Sequence, residues 1–399
     1  MNIFIINSGS SSIKYQLFKM PVERPVCSGL IERIGLENST IKHKIFTNGQ
    51  EKVVERTLEL ADHEGGLHEV LNLLTDDEIG VIGDPGDIDA VGHRVVHGGE
   101  AFAKTAFITR EVKDKIKQLF QLAPLHNPAN YMGIDVAERM FTNARQIAVF
   151  DTSFHQTMPE KAFRYAIPAS YYKEQKIRVY GFHGTSHKYV SEKAVEYLQN
   201  PAAKLITIHL GNGCSMAAVK DGRSVDTSMG FGPLSGLVMG TRSGDIDPSI
   251  VFHLINQYGY DPEQVNTLLN KRSGVLGMTG FSDMRDIENA INEGDKAAEF
   301  ARELYAYRIQ KYIGAYAAVL NGLDAIIFTA GVGENDVNMR RRICENLDFL
   351  GIEADDEKNK IRSGTLREIN KAGSRVKILV IPTNEELEIA KQCFVLLND

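Results

Sequence analysis

The sequence of 399 residues predicts an α/β protein made of two related halves. Near the start, the apolar residues 3–6 lead into a short polar turn, and the alternating residues 15–18 follow; this pattern is typical of strand, turn and strand. The pattern returns about 200 residues later, where residues 205–210 lead into a second polar turn and residues 216–219 follow. Helical periodicities separate further apolar runs in both halves, as expected for sheets covered by helices. We therefore expect a duplicated domain with one polar loop of the same kind in each half.

Composition narrows the class of protein. Apolar residues make up 43% and charged residues 24% of the chain, as in soluble globular proteins. The net charge of −7 argues against a nucleic-acid binder, and no apolar run approaches the roughly 20 residues of a membrane span. The first residues are typical of a strand and not of a secretion signal. The four scattered cysteines suit a reducing compartment, so we expect a cytoplasmic protein.

In the first half, two strands are expected to end at polar residues. A strand at residues 88–96 ends at His97-Gly98-Gly99, and a strand at residues 146–150 ends at Asp151. Because ligands bind beyond the carboxyl ends of strands in open α/β sheets, both ends are candidate site edges. The other patterns are β-like segments within residues 21–60 and helices at 64–76, 110–121 and within 123–141.

In the second half, residues 223–248 are rich in glycine and short polar residues, and they predict a long functional loop. A buried strand at 324–329 turns at Gly331-Val332-Gly333, a motif that lets a nucleotide approach the backbone. A last strand at 377–382 precedes a terminal helix. Further helices are predicted after residues 181–187 and at 249–258, 262–271, 286–292, 295–321 and 337–346.

The first polar turn has the chemistry of an anion site. It contains three consecutive serines, which leave room for an anion and offer hydroxyl donors, and Lys14 adds a positive charge. Asn7 offers a carbonyl oxygen, a ligand that Mg²⁺ accepts. An ordinary serine-rich hairpin would also fit this turn. The chain contains no Gly-x4-Gly-Lys-Ser/Thr motif, which disfavours a P-loop protein.

Seven motifs occur together and in one order, and they resemble the acetate kinase family. They are Asn-Ser-Gly-Ser-Ser-Ser-Ile-Lys at 7–14, Gly-His-Arg-Val-Val-His-Gly-Gly at 92–99, Phe-Asp-Thr-Ser-Phe-His at 150–155, Gly-Phe-His-Gly-Thr-Ser-His at 181–187, His-Leu-Gly-Asn-Gly at 209–213, Gly-Thr-Arg-Ser-Gly-Asp-Ile-Asp-Pro at 240–248 and Thr-Ala-Gly-Val-Gly-Glu-Asn at 329–335. The resemblance spans the chain. It implies the duplicated actin-like ATPase domain, the superfold of acetate and sugar kinases and of actin, with two domains around a central cleft.

The resemblance also implies an activity and a domain division. The activity is reversible, Mg²⁺-dependent phosphoryl transfer from ATP to acetate, giving acetyl phosphate and ADP, with Mn²⁺ as a substitute metal. We expect a homodimer that binds acetate or another short-chain carboxylate but neither nucleic acid nor a membrane. Residues 1–150 plus 385–399 form the acyl-substrate and phosphate side, and residues 151–384 bind the nucleotide.

Site residues follow from the matching motifs. The catalytic residues implied are Asp151, His183, Arg242 and Arg94. The substrate-binding residues implied are Arg94, Val96, Leu125, Phe182 and Pro233. The nucleotide-binding residues implied are Lys14, His209, Leu210, Gly211, Asn212, Gly213, Asp283, Met284, Arg285, Gly331, Val332, Gly333, Glu334 and Asn335. The metal-associated residues implied are Asn7 and Glu385.

The chemistry of the acceptor decides how Asp151 is interpreted. A carboxylate acceptor has a pKa of about 4 to 5 and is already ionised at pH 7, so it needs no general base. We therefore hypothesise that Asp151 orients Mg²⁺ or an arginine. Three alternatives remain open: a propionate kinase of the same family, a sugar or polyol kinase of the same superfold, which would need a base, and an actin-like ATP-binding filament. The pairs His93/His97 and His183/His187 lack the other features of zinc sites.

Overall fold

The computed structural model describes residues 1–47, 49–124 and 126–399. The chain forms two compact units. The first contains Met1–Phe154 and Asn384–Asp399, and the second contains His155–Thr383. Asp151 therefore lies in the first unit, and Leu125 lies outside the described residues.

The first unit is a mixed sheet with helices. Its strands are β1 Asn2–Ser8, β2 Ser12–Lys19, β3 Pro25–Glu32, β4 Ser39–Thr47, β5 Gln50–Leu58, β6 Ala90–Val95, β7 Ala106–Phe107 and β8 Arg145–Phe150. Its helices are α1 His63–Leu74, α2 Arg110–Gln118, α3 Asn127–Met140 and the terminal α15 Glu385–Asn398. The strand order is β5-β4-β3-β2-β1-β6-β8-β7. Strands β1, β2 and β3 pair antiparallel, whereas β1, β6 and β8 pair parallel.

The second unit contains the rest of the chain. Its strands are β9 Lys204–Leu210, β10 Cys214–Lys220, β11 Arg223–Thr227, β12 Ala325–Thr329, β13 Arg367–Glu368 and β14 Lys377–Val380. Its helices are α4 Glu160–Phe163, α5 Ala169–Gln175, α6 Gly184–Leu198, α7 Ser249–Tyr258, α8 Pro262–Lys271, α9 Gly274–Thr279, α10 Met284–Asn292, α11 Lys296–Leu320, α12 Ala330–Asn335, α13 Val337–Cys344 and α14 Asp356–Lys360. The strand order is β11-β10-β9-β12-β14-β13.

The two sheets share one topology, which confirms the duplicated α/β fold. In the second unit β9, β10 and β11 pair antiparallel, and β9, β12 and β14 pair parallel. These relations repeat those of β1, β2, β3, β6 and β8. In each unit, three parallel strands therefore end at the same edge of their sheet, and the polar motifs follow those ends.

Close packing holds the terminal helix against the first sheet. Helix α15 covers β1 and β6, and Gly92 in β6 makes this approach possible. A Cβ atom on Gly92 would lie 2.8 Å from the sulfur of Cys393 and 3.0 Å from Cγ2 of Ile389, closer than such atoms normally approach. The helix begins at Glu385, so the packing also fixes where that carboxylate lies.

The structure corrects two local expectations. The predicted loop at residues 223–248 begins with strand β11, because residues 223–227 pair with β10. The predicted turn around Gly331 is helix α12, which starts at Ala330 with a left-handed backbone (φ 64°). Both segments are short, so their sequence periodicity is weak. None of the described helices is long and apolar enough to cross a membrane.

Candidate active site

Arg94 is the centre of a charged cluster in the first unit. It lies near the end of β6 with an 18% exposed side chain, and its Nη2 forms an ion pair with Asp151, which follows β8 and is 1% exposed. Its Nη1 lies 3.4 Å from Oδ1 of Asn7, and its Nε lies 3.7 Å from a carboxylate oxygen of Glu385. Burial lowers the pKa of Arg94, but Asp151 and Glu385 outweigh that effect, so its net pKa is raised. The predicted residues Asn7, Arg94, Asp151 and Glu385 are thus brought together.

Negative charge exceeds positive charge in this cluster. Lys14 forms an ion pair with the buried Glu386 at 2.9 Å and is itself half exposed. The pKa of Glu385 is raised to about 7, because burial and the charges of Asp151 and Glu386 outweigh the opposing charges of Arg94 and Lys14. Three carboxylates therefore share two cations. An added cation at this place would relieve the imbalance.

Two buried asparagines of α3, which sequence reasoning missed, fix the neighbouring backbone. Asn130 accepts a hydrogen bond from the N–H of Val96 and donates one to the carbonyl of Ser8. Asn127 accepts from the N–H of His97 and donates to its carbonyl. The segment after β6 and the end of β1 are therefore held by one helix. The spacing Asn-x-x-Asn at a helix start was the available signal.

The second unit has a cavity of about 1000 Å³. Its lining includes eight residues predicted to bind the nucleotide: Gly211, Asn212, Asp283, Met284, Arg285, Gly331, Val332 and Asn335. Sequence reasoning missed the other lining residues, which are Gly240, Ser282, Glu288, Asn289, Tyr305, Asp336, Val337, Asn338 and Arg362. Several of these adjoin the recognised motifs, whereas Tyr305 and Arg362 stand in segments without any motif. Hydrogen bonds from Arg285 lower the pKa of Asp283 to about 2.

The remaining predicted nucleotide residues lie elsewhere. Leu210 is fully buried at the end of β9. Glu334 accepts hydrogen bonds from the backbone N–H groups of Ala330 and Thr383, so its carboxylate holds α12 in place. A Cβ on Gly333 would lie 3.4 Å from the backbone of Phe328, an ordinary van der Waals contact.

His183 and Arg242 face one loop in the second unit. His183 precedes α6 in a left-handed backbone conformation (φ 55°), a strained state that is common at functional sites. A Cβ on Gly213 would lie 3.4 Å from Nε2 of His183 and 3.6 Å from Nη1 of Arg242. The Arg242 Nη1 also donates to the carbonyl of Pro233 at 3.3 Å. The predicted residues His183, Arg242, Gly213 and Pro233 are therefore neighbours.

Further histidines surround His183. Its ring stacks on His209 with ring centroids 4.2 Å apart, and its Nδ1 lies 2.9 Å from the hydroxyl oxygen of Ser215. His187 is fully buried and is hydrogen-bonded at both ring nitrogens. Burial lowers the pKa of His187 well below 6.5, and His155 and His209 add to that effect. His187 is therefore neutral at pH 7.

The predicted acyl-side residues lie in both units. Val96 follows β6 and is 7% exposed, and Phe182 precedes α6 and is 3% exposed. The carbonyl of Phe182 is 3.1 Å from Nε2 of His155. Among the described residues, no group of three or more His, Cys, Asp or Glu side chains is arranged to hold a metal ion.

Comparisons with known proteins identify the family. The sequence model of the acetokinase family matches residues 2–391. An acetate kinase of Flavobacterium johnsoniae is 59% identical over the full length of both chains. An acetate kinase of Thermotoga maritima is 55% identical over 98% of this chain and 97% of the relative.

Solved structures agree with this match. The acetate kinase of Porphyromonas gingivalis is 44% identical and superposes with a TM-score of 0.92 over 99% of both chains. A propionate kinase from Francisella tularensis is 42% identical, with a TM-score of 0.91 over 98% of both chains. The chain belongs to the acetokinase family, and it is a kinase that transfers phosphate between ATP and acetate.

Proposed function

We propose that the phosphoryl group passes directly and in line between ATP and acetate, and that fixed positive charges stabilise its transition state. The observation that carries this proposal is the approach of Arg242 and His183 to Gly213. Three phosphoryl oxygens share the developing charge, so donors placed before the reaction lower the barrier most. Arg94 supplies a third positively charged group in the first unit. No covalent intermediate with the protein is required.

The cavity of the second unit is proposed as the nucleotide site. Its volume of about 1000 Å³ is enough for a nucleotide, and it is lined mainly by glycine, asparagine and short polar segments. Gly211 and Asn212 at one side follow β9, and Gly331 at another follows β12. The carboxyl ends of adjacent parallel strands thus supply the lining, as in other α/β ligand sites.

Arg94 is proposed to bind the acetate carboxylate, with Val96 as an apolar neighbour. A guanidinium can donate two parallel hydrogen bonds to the two oxygens of a carboxylate, but only when it is correctly oriented. The ion pair with the buried Asp151 restricts Arg94 to one orientation. Asp151 in this account positions Arg94 and takes no proton from the substrate. The mechanism therefore needs no general base.

Asn7 and Glu385 are proposed to hold the divalent metal that the family requires, and we assign it as Mg²⁺. The donor set fits, because a carbonyl oxygen and a carboxylate are hard oxygen ligands. The surplus of one carboxylate around Arg94 supports a cation at this place. A bound Mg²⁺ would neutralise charge on the phosphates of ATP. Mg²⁺ is commonly held by one or two carboxylates together with substrate phosphates, so a larger protein cluster is unnecessary.

Propionate is the second candidate substrate. The relative from Francisella tularensis is a propionate kinase with a TM-score of 0.91, so the same fold accommodates either acid. One methylene changes binding by only about 1–3 kcal/mol in an apolar pocket. Acetate is favoured because the curated relatives at 59% and 55% identity are acetate kinases.

We infer a cytoplasmic homodimer. All four cysteines are buried and unpaired, as in proteins of a reducing compartment. Helix α7 has no buried residue, and Phe252 and Tyr258 are 64% and 68% exposed. Residues 248–260 contain no charged side chain, so two copies of this negatively charged chain can meet there without repulsion. A second copy is therefore the proposed partner of α7.

The nucleotide site predicts the effect of a new side chain at Gly331. No atom lies within 4 Å of the position of its Cβ, so Gly331→Val should fold normally while its methyl groups occupy the cavity. We expect the Kd for ADP to rise roughly tenfold or more, equal to about 1.4 kcal/mol. Titration with a fluorescent ADP analogue measures this. Gly364→Val is the matched control, because Gly364 also has no atom within 4 Å of its Cβ position. Normal ADP binding by Gly331→Val would contradict the assignment of the cavity as the nucleotide site.

Acceptor specificity and Arg242 test the proposed activity. With ATP and Mg²⁺, hydroxylamine should trap acyl phosphate from acetate and, with a lower kcat/KM, from propionate, but should trap none with glycerol. Arg242→Ala should lower kcat about 10³-fold or more, as loss of a transition-state arginine does. Arg139→Ala removes an arginine that is 52% exposed in α3 and should leave kcat unchanged. ADP release with glycerol and no trapped product would indicate a polyol kinase instead.

The α7 surface predicts the oligomeric state. Analytical ultracentrifugation should give a dimer for the native chain and a monomer for Phe252→Glu, because two buried carboxylates would face each other across a symmetric contact. Phe349→Glu is the control, since Phe349 is 70% exposed outside α7. A Phe252→Glu variant that remains dimeric places the contact elsewhere.

A further inference from the structure

A chain of four hydrogen bonds connects His183 to the backbone of the second sheet. Nδ1 of His183 lies 2.9 Å from the hydroxyl oxygen of Ser215, which lies 2.7 Å from Nε2 of His187. Nδ1 of His187 lies 2.7 Å from the hydroxyl oxygen of Thr207. That hydroxyl donates to the carbonyl of Ala217 at 3.4 Å. Ser215, His187 and Thr207 are all fully buried.

The donors in this chain can be ordered from its far end. A carbonyl oxygen only accepts, and Thr207 has a single hydroxyl proton, so Thr207 donates to Ala217 and accepts from Nδ1–H of His187. A buried neutral imidazole has one N–H, so Nε2 of His187 must accept the proton of Ser215. Ser215 then has no proton left for His183. It accepts from Nδ1–H of His183.

We propose that Ser215, His187 and Thr207 are positioning residues that keep a proton on Nδ1 of His183, so that this histidine can carry a positive charge towards the phosphoryl group. A histidine with a fixed Nδ1–H donates through Nε2 only as an imidazolium. Nε2 of His183 faces Gly213 on the loop shared with Arg242. His187 is neutral and therefore does not compete with His183 for the charge. The inference rests on the proposed role of His183 in the transition state.

Neutron diffraction from deuterium-exchanged crystals reads the proton order directly. In the native chain we expect deuterium on Nδ1 of His183 and on Nδ1 of His187, with the Ser215 deuteron pointing at His187. The deuterium positions are measured in the protein itself, so the result does not depend on whether the protein acts on acetate. A deuteron of Ser215 that points at His183, or a bare Nδ1 on His183, overturns the proposal.

Removal of the Thr207 hydroxyl, at the far end of the hydrogen-bond chain, tests whether that chain affects catalysis. Thr207→Val removes the acceptor of His187, whose proton should move to Nε2; Ser215 should then donate to His183, leaving it neutral. We expect kcat to fall about tenfold, the effect of one hydrogen bond, with KM for ATP and acetate unchanged within about twofold. Thr207→Ser keeps the hydroxyl and should restore kcat.

The matched control is Thr227→Val. Thr227 is a buried threonine of β11 whose hydroxyl also donates to a carbonyl of β10, that of Met216, at 3.0 Å, but it is not part of the chain to His183. Thr227→Val should lower the stability of the protein without the selective loss of kcat expected for Thr207→Val. Equal losses of kcat in the two variants, or an unchanged kcat in Thr207→Val, overturn the proposal.

Discussion

Three carboxylates share two cations at one end of the first sheet, and the proposed roles of Arg94, Asn7 and Glu385 depend on that imbalance. Asp151 neutralises Arg94, and Lys14 neutralises Glu386. Burial, with the charges of Asp151 and Glu386, raises the pKa of Glu385 to about 7. Charges in such partly buried places are costly unless they are paired. A metal ion on Glu385 and a substrate carboxylate on Arg94 supply the partners. Partial burial of the unpaired charge therefore destabilises the free protein, and ligand binding offsets this free-energy cost.

The second unit contains both charged and neutral groups around its candidate site. Glycine and asparagine residues line its cavity together with the charged side chains Asp283, Arg285, Glu288, Asp336 and Arg362. Burial and neighbouring histidines keep His187 uncharged. Beside Gly213, positive charge is carried by Arg242 and, in our proposal, by His183. Such fixed donors do not need to reorganise when charge develops on a phosphoryl group, which is the main source of catalysis in phosphoryl transfer.

The sequence predicted the duplicated fold because apolar strands, polar turns and helices have strong periodicities, and the shared sheet topology confirms it. It also indicated the motifs that line the cavity. It could not predict Ser215 or Thr207, because their roles depend on which buried imidazole each one faces. The spacing of Asn127 and Asn130 was a signal, but not of the backbone groups that they bind. Short elements such as β11 and α12 were missed because a few residues carry little periodicity.

The pH dependence of kcat for Asp151→Asn tests most directly whether the site stabilises charge or removes a proton. An acceptor that is already ionised at pH 7 needs no base, so loss of the Asp151 charge should lower kcat by misaligning Arg94. We predict a reduced kcat that keeps any ascending limb of the native profile, moved to lower pH because Asp151 no longer raises the pKa of Glu385. Loss of an ascending limb that the native chain has would show that Asp151 acts as a base, and would contradict the account.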